Sequence, residues 1–120
     1  MNTTTQPLAD YEIVQLEDLT AARCPCGWAR RAFVGREGAV ASAHVVDILE
    51  DSRAHYHRHT TEIYIVLEGV GEIELNGQRH PLRPLTAVYI PPGVRHRAIG
   101  RLRILNIPIP PFREADEYFD

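Results

Sequence analysis

From Trp28 onward the chain reads as a succession of short β-like runs, and this rhythm limits the folds open to it. "WARRAFV" and "AVASAHVVDIL" are strand-like, "AHYHRH" alternates, "EIYIVLEG" is densely apolar and "VGEIEL" alternates again. "QRHPL", "TAVYIP", "VRHRAI" and "RLRILNIPI" follow, each bounded by glycine or proline. Asn76–Gly77 is a two-residue hairpin signal, because both central positions of such a turn need positive φ. Short strands with turn residues at roughly 8–12-residue spacing predict an all-β sandwich or small barrel. Helical patterning is confined to the ends: "DYEIVQLEDLTAAR" predicts a short strand and a helical turn, and the acidic, aromatic "FREADEYFD" one further turn.

The chain has 120 residues, 44% apolar and 24% charged, which suits one globular domain with a core of its own. Residues 1–9 are polar and aperiodic, so they are expected to be a disordered tail before a single domain over 10–120. The net charge of −3 and the lack of a basic stripe argue against nucleic acid as a partner. No basic start or apolar segment marks a signal peptide, and no run approaches the roughly 20 apolar residues of a membrane span. A cytoplasmic protein without membrane partners is expected. All 13 basic side chains are arginine, so lysine Schiff-base chemistry and a Walker-type phosphate loop are excluded. Neither serine, Ser42 or Ser52, sits in a nucleophile elbow.

Against this background "HYHRHTTE", residues 55–62, places three of the six histidines on alternate positions. Residues two apart on a strand face the same side, so His55 and His57 project together. A turn through Arg58–Thr61 then brings Glu62 across from them. Two imidazoles and a carboxylate suit a divalent ion of iron, manganese, nickel, zinc, cobalt or copper, although a polar surface strand would show the same alternation. A further histidine, His96, leaves the tight Pro91–Pro92–Gly93 corner.

These two stretches resemble the paired motifs of the cupin superfamily, small single-domain jelly-roll barrels of the conserved-barrel cupin 2 type. The first family motif is G-x5-H-x-H-x3,4-E-x6-G, matched by His55, His57, Glu62 and Gly69. The second is G-x5-P-x-G-x2-H-x3-N, matched by Pro91, Gly93 and His96. The resemblance covers about residues 40–110. It implies a double-stranded β-helix fold and one divalent metal on His55, His57, Glu62 and His96. His59 falls outside the pattern, because it would leave only two residues before Glu62. Leu49 and Leu85 stand where the family often has glycine, and Gly100 where it often has asparagine.

The resemblance implies a metal-dependent enzyme acting on a small oxygen-rich or anionic molecule. A dioxygenase-type oxidoreductase is the first expectation and an isomerase the next; a non-catalytic ligand-binding or sensing protein with the same metal is the alternative. It also implies a homodimer. If Glu62 faces inward, period 2 turns Tyr64 and Val66 inward too, and Tyr64 and His44 become candidates for the substrate pocket. Arg30 or Arg31 can reach a barrel mouth and meet an anion. "CPCG" is C-x-C rather than the redox or zinc C-x-x-C, and reads as a turn before the first barrel strand. His80 is expected on an exposed turn, and "PIPPF" to end the last strand.

Overall fold

A computed structural model describes residues 10–120; the expected disordered tail, 1–9, lies outside the described residues. The strands are β1 Ala22–Cys24, β2 Gly27–Ala32, β3 Ala43–Ile48, β4 Thr61–Gly69, β5 Gly71–Leu75, β6 Gln78–Leu82, β7 Ala87–Ile90, β8 His96–Ile99 and β9 Leu102–Ile109. Short 3-10 turns lie at Leu16–Asp18 and Glu114–Asp116. The all-β expectation holds. Near the N-terminus the helical turn precedes the strand. No helix among the described residues is long and apolar enough to cross a membrane.

Every pairing is antiparallel, in a six-stranded sheet ordered β1-β2-β3-β9-β4-β7 and a three-stranded sheet ordered β6-β5-β8. No ladder joins the two sheets among the described residues, so the barrel is open at its seams. The Asn76–Gly77 hairpin forms as expected, with φ of 48° and 85° and Leu75 paired to Gln78. Gly69 is needed for a different reason. A Cβ there would lie 2.3 Å from the Arg101 carbonyl oxygen, so only glycine lets β4 pass β9 at this point.

Period-2 alternation builds both the core and the site. Along β9, Leu102, Ile104, Asn106 and Pro108 face inward, and along β4 so do Glu62 and Val66. At one end of this face Val66, Leu102 and Ile104 pack with Ile48 and Ile90, and with Ile73, Leu82 and Ala98 of the smaller sheet. Each large apolar side chain buried here stabilises the fold by roughly 1.5–3 kcal/mol. At the other end the same face turns polar, with Glu62, His44 and Asn106 all buried. The site is therefore a continuation of the core.

Two local readings are corrected. "AHYHRH" is not a strand: His55 and Tyr56 make single bridges to His96 and Tyr118, and the chain then bends. Residues 58–60 find their partners in a side chain, as described below. His80 lies within β6 and not on a turn, exposed and paired with Ile73. Pro81 beside it is tolerated because β6 is an edge strand.

Two departures from the motif pattern have a backbone explanation. Leu85 adopts φ 71° and Gly100 φ 106°, so both positions call for the left-handed region. Glycine meets that need freely and leucine does not. The Leu85 side chain is 81% exposed and packs little. Leu85→Gly should relieve roughly 1–2 kcal/mol of strain and lose less through unfolded-chain entropy. A net gain of about 0.5 kcal/mol is expected in urea unfolding.

Candidate metal centre

The structure brings His55, His57, Glu62 and His96 together, with one potential ligand atom from each lying within 4.8 Å of the others. Glu62 comes from the start of β4 and His96 from the start of β8, while His55 and His57 come from the bent segment between β3 and β4. His55 is locked by reciprocal backbone hydrogen bonds with His96, N to O at 3.1 and 2.9 Å. The Pro-Pro-Gly corner is tied to the same place, since the Gly93 N–H donates to the His57 carbonyl at 2.7 Å. His59 points elsewhere and is exposed.

The donor set fits a divalent ion. His57 Nδ1 donates to the Asp116 carbonyl and His96 Nδ1 to the Val94 carbonyl, each at 2.9 Å. A carbonyl only accepts, so these bonds put the proton on Nδ1 and aim the Nε2 lone pair inward. Both inward nitrogens face the same oxygen, Glu62 Oε1, at 3.1 Å from His57 and 2.9 Å from His96. His57 Nε2 is buried there without an aligned hydrogen bond. Lone pairs aimed at a carboxylate repel unless a proton or a cation lies between them. A proton serves one such contact, whereas a cation serves all four residues. Metal–ligand distances of about 2.0–2.2 Å put ligand atoms of one sphere at most about 4.4 Å apart, so the four atoms are grouped closely enough for small side-chain shifts to bring them onto one ion.

Charge states agree with this. Burial works against ionising Glu62, but the His57 and His96 imidazoles beside it overcome that and hold the carboxyl well below the usual carboxylate range. The Asn106 amide adds a donor to its other oxygen, Oε2, at 2.8 Å. Burial, with His96 next to it, pushes His55 down to about 3, so its imidazole is neutral. Burial also opposes charge on His57, but Glu62 prevails and raises it.

His55, His57 and Glu62 open into a small cavity with about 80 Å³ of free space. Tyr64, His44 and Arg31 line it. Arg30 does not; it turns to Asp47 at 3.5 Å and to the Leu19 carbonyl. Burial, and Glu62 after it, raises the Tyr64 phenol well above its ordinary value, so it stays protonated. His44 is pushed down to about 4 by burial and Arg31, and its Nε2 lies 2.9 Å from Ser42 Oγ. "CPCG" forms the β1–β2 turn, and both cysteines face the cavity with their sulfurs 3.3 Å apart.

The C-terminal segment is the part that sequence reasoning missed. Its buried Asp116 accepts the Arg58 N–H, the His59 N–H and the Thr60 hydroxyl at 3.1, 3.1 and 2.7 Å. Tyr118 pairs with Tyr56, while Glu117 and Phe119 turn into the cavity. Glu117 Oε2 lies 3.6 Å from His55 Nε2. The acidic, aromatic character of this segment was visible in the sequence; the partner of each side chain was not.

The low values at His44 and His55 give a pH dependence. An unfolded histidine takes up a proton near 6.5, whereas these two resist until about 4 and about 3. The unfolded state therefore binds more protons in this window, and stability falls as pH drops. His57 and Glu62 do not cancel the trend. The raised His57 contributes fully below its unfolded value, and the lowered Glu62 contributes fully above its own. Metal-free protein is expected to lose about 3 kcal/mol from His44 alone between pH 6.5 and 4. Urea unfolding at both pH values measures it, with His44→Asn flattening the slope.

Residues 45–106 match the family described as Cupin domain, of the cupin 2 type. The chain belongs to the cupin family. An uncharacterized protein of Methanocaldococcus jannaschii is 31% identical to this cupin over 88 residues, 70% of each chain. A crystal structure of a protein from Planctomyces limnophilus is 47% identical, with a TM-score of 0.87 over 92% of this chain and 98% of that one. A Streptomyces nucleoside dehydratase superposes with a TM-score of 0.76 at 19% identity, over 92% and 90% of the two chains. That last likeness is one of fold, and it supports the jelly-roll expectation for this cupin.

Proposed function

We propose that this cupin is a metal-dependent enzyme acting on a small oxygen-rich or anionic molecule, with His55, His57, Glu62 and His96 holding one divalent transition ion. The observation that carries the proposal is the shared cavity. His55, His57 and Glu62, with the fully buried His96 behind them, open onto a space also lined by the protonated Tyr64 phenol, the neutral His44 and the Glu117 carboxyl. When bound, the ion supplies Lewis-acid polarisation of a substrate oxygen, or activation of water or dioxygen. Tyr64 donates a hydrogen bond to an oxygen that gains charge, and Glu117 is placed to accept or return a proton near His55. Groups of this kind support reactions in which a proton moves while an oxygen is polarised, such as isomerisation or loss of water. The Streptomyces relative of like fold is a dehydratase. Oxidation by dioxygen is the second reading, favoured by the donor set itself, since imidazoles with a carboxylate also suit iron oxygenases.

The test is elemental analysis of protein purified without an affinity tag, followed by turnover screens. Iron with oxygen uptake places oxidation first. Zinc, nickel or manganese with turnover under nitrogen places isomerisation or dehydration first. Metal without turnover of any acid, sugar or nucleoside leaves a binding protein, and no metal after reconstitution refutes the proposal. The protein is further proposed to be a homodimer. β1 and β7 are free edges of the larger sheet, and Tyr89 on β7 is 67% exposed. Sedimentation velocity reads the mass directly.

A further inference from the structure

Across the larger sheet, Arg31 pairs with His44, His44 with Asn106, and Asn106 with Tyr64. Directly opposed residues on antiparallel strands share a face, so these four form one polar row running into the cavity. Two atoms of the row have nothing to bond. Among the described residues, Arg31 Nε is buried without a hydrogen-bond partner, and so is Asn106 Oδ1. Among the described residues no carboxylate comes within ion-pair distance of Arg31, whereas its neighbour Arg30 is paired with Asp47. The orientation of Asn106 is fixed, because its Nδ2 must be the atom that donates to the ionised Glu62. Buried polar groups left unpaired destabilise a fold, so an unpaired donor and an unpaired acceptor in one cavity need an explanation.

We infer that Arg31 is the receptor for the carboxylate of a small hydroxy or amino acid, whose hydroxyl or amine donates to Asn106 Oδ1. This deepens the reading of the cavity as a substrate site and rests on it. Three features lead to this class. One face of the Arg31 guanidinium is covered by the Phe112 ring, 4.4 Å from its centroid, which leaves the planar edge with its N–H donors free. Such an edge matches the two coplanar oxygens of a carboxylate. The cavity already holds the carboxyl groups of Glu62 and Glu117, which disfavours a doubly charged phosphate relative to a singly charged carboxylate. Finally, Asn106 bonds to Glu62 on one side and offers a bare acceptor on the other, so the bound acid needs a donor between its carboxylate and the histidines.

The probes are ω-hydroxy acids from glycolate to hydroxyvalerate, with the matching neutral amides and inorganic phosphate as controls. Binding is read by amide chemical-shift titration on metal-free and zinc-loaded protein, with zinc content measured alongside. At least one acid is expected to bind saturably, with its amide weaker by roughly ten-fold or more, the loss of one charge-assisted pair. Arg31→Gln should weaken the acid by the same factor and leave the amide unchanged, and Arg31→Lys should fall between. Zinc content should not change in either variant. No acid binding, equal binding of acid and amide, an unaffected Arg31→Gln variant, or phosphate binding as tightly through Arg31 would overturn the assignment. Failure of wild-type protein to take up zinc would instead count against the metal site, and acid binding in the metal-free protein would still decide the role of Arg31.

Discussion

His96→Ala is expected to abolish near-stoichiometric metal binding while leaving the protein folded. Its ring is fully buried, with Nε2 2.9 Å from Glu62 and Nδ1 on the Val94 carbonyl. Removing it deletes one nitrogen of four ligands and opens a void beside a carboxylate. Outer partners of a ligand alone change affinity by about 10–100-fold, so loss of a ligand should exceed a hundred-fold. The same change removes one of the two imidazoles that keep Glu62 ionised, and the Glu62 carboxyl should move back up towards its ordinary range. In metal-free protein the void and the lost contact should lower stability by about 2–3 kcal/mol. Dialysis against a zinc-buffered series, with elemental analysis, gives the affinity. A variant that keeps wild-type metal content would show that His96 is not a ligand.

How much of this could be read beforehand depended on range along the chain. Asn76–Gly77, the period-2 faces of β4 and β9 and the spacing of His55, His57, Glu62 and His96 are short-range facts, and they hold in the structure. The inward turn of Glu62 and Tyr64 followed from strand geometry alone. What failed was the assumption that alternation at 55–59 means a strand. Those residues bend because Asp116, far along the chain, supplies the acceptors that a neighbouring strand would otherwise provide. Arg30 and Arg31 were indistinguishable for the same reason. Parity gave them opposite faces, but only the position of Asp47 on β3 showed which one would be paired. His80 was misplaced because proline signals a turn except on an edge strand, and edges are a property of the assembled sheet.

Asp116→Ala should loosen the site without touching any ligand side chain. The carboxylate accepts two backbone N–H groups and one hydroxyl, and hydrogen bonds hold its proton affinity down despite its burial. Bonds to a charged acceptor are worth more than neutral ones, and losing three together should lower stability by about 3 kcal/mol. The effect on the metal comes through the backbone. Asp116 also presents the carbonyl that orients His57 Nδ1, and the 3-10 turn Glu114–Asp116 is held against residues 58–60 by the lost bonds. Once the turn drifts, His57 can rotate or change tautomer, and metal affinity should fall by roughly 10–100-fold. Asp116→Asn discriminates between orientation and mere stability. It keeps one oxygen for the Arg58 N–H and the same main-chain carbonyl, but sets an amide N–H₂ against the His59 N–H and the Thr60 hydroxyl. Its affinity should therefore lie between wild type and alanine. If Asp116→Ala lost stability but bound metal as wild type, the C-terminal segment would be a structural clasp only, and His57 would owe its orientation to the Gly93 corner and the Glu62 carboxylate.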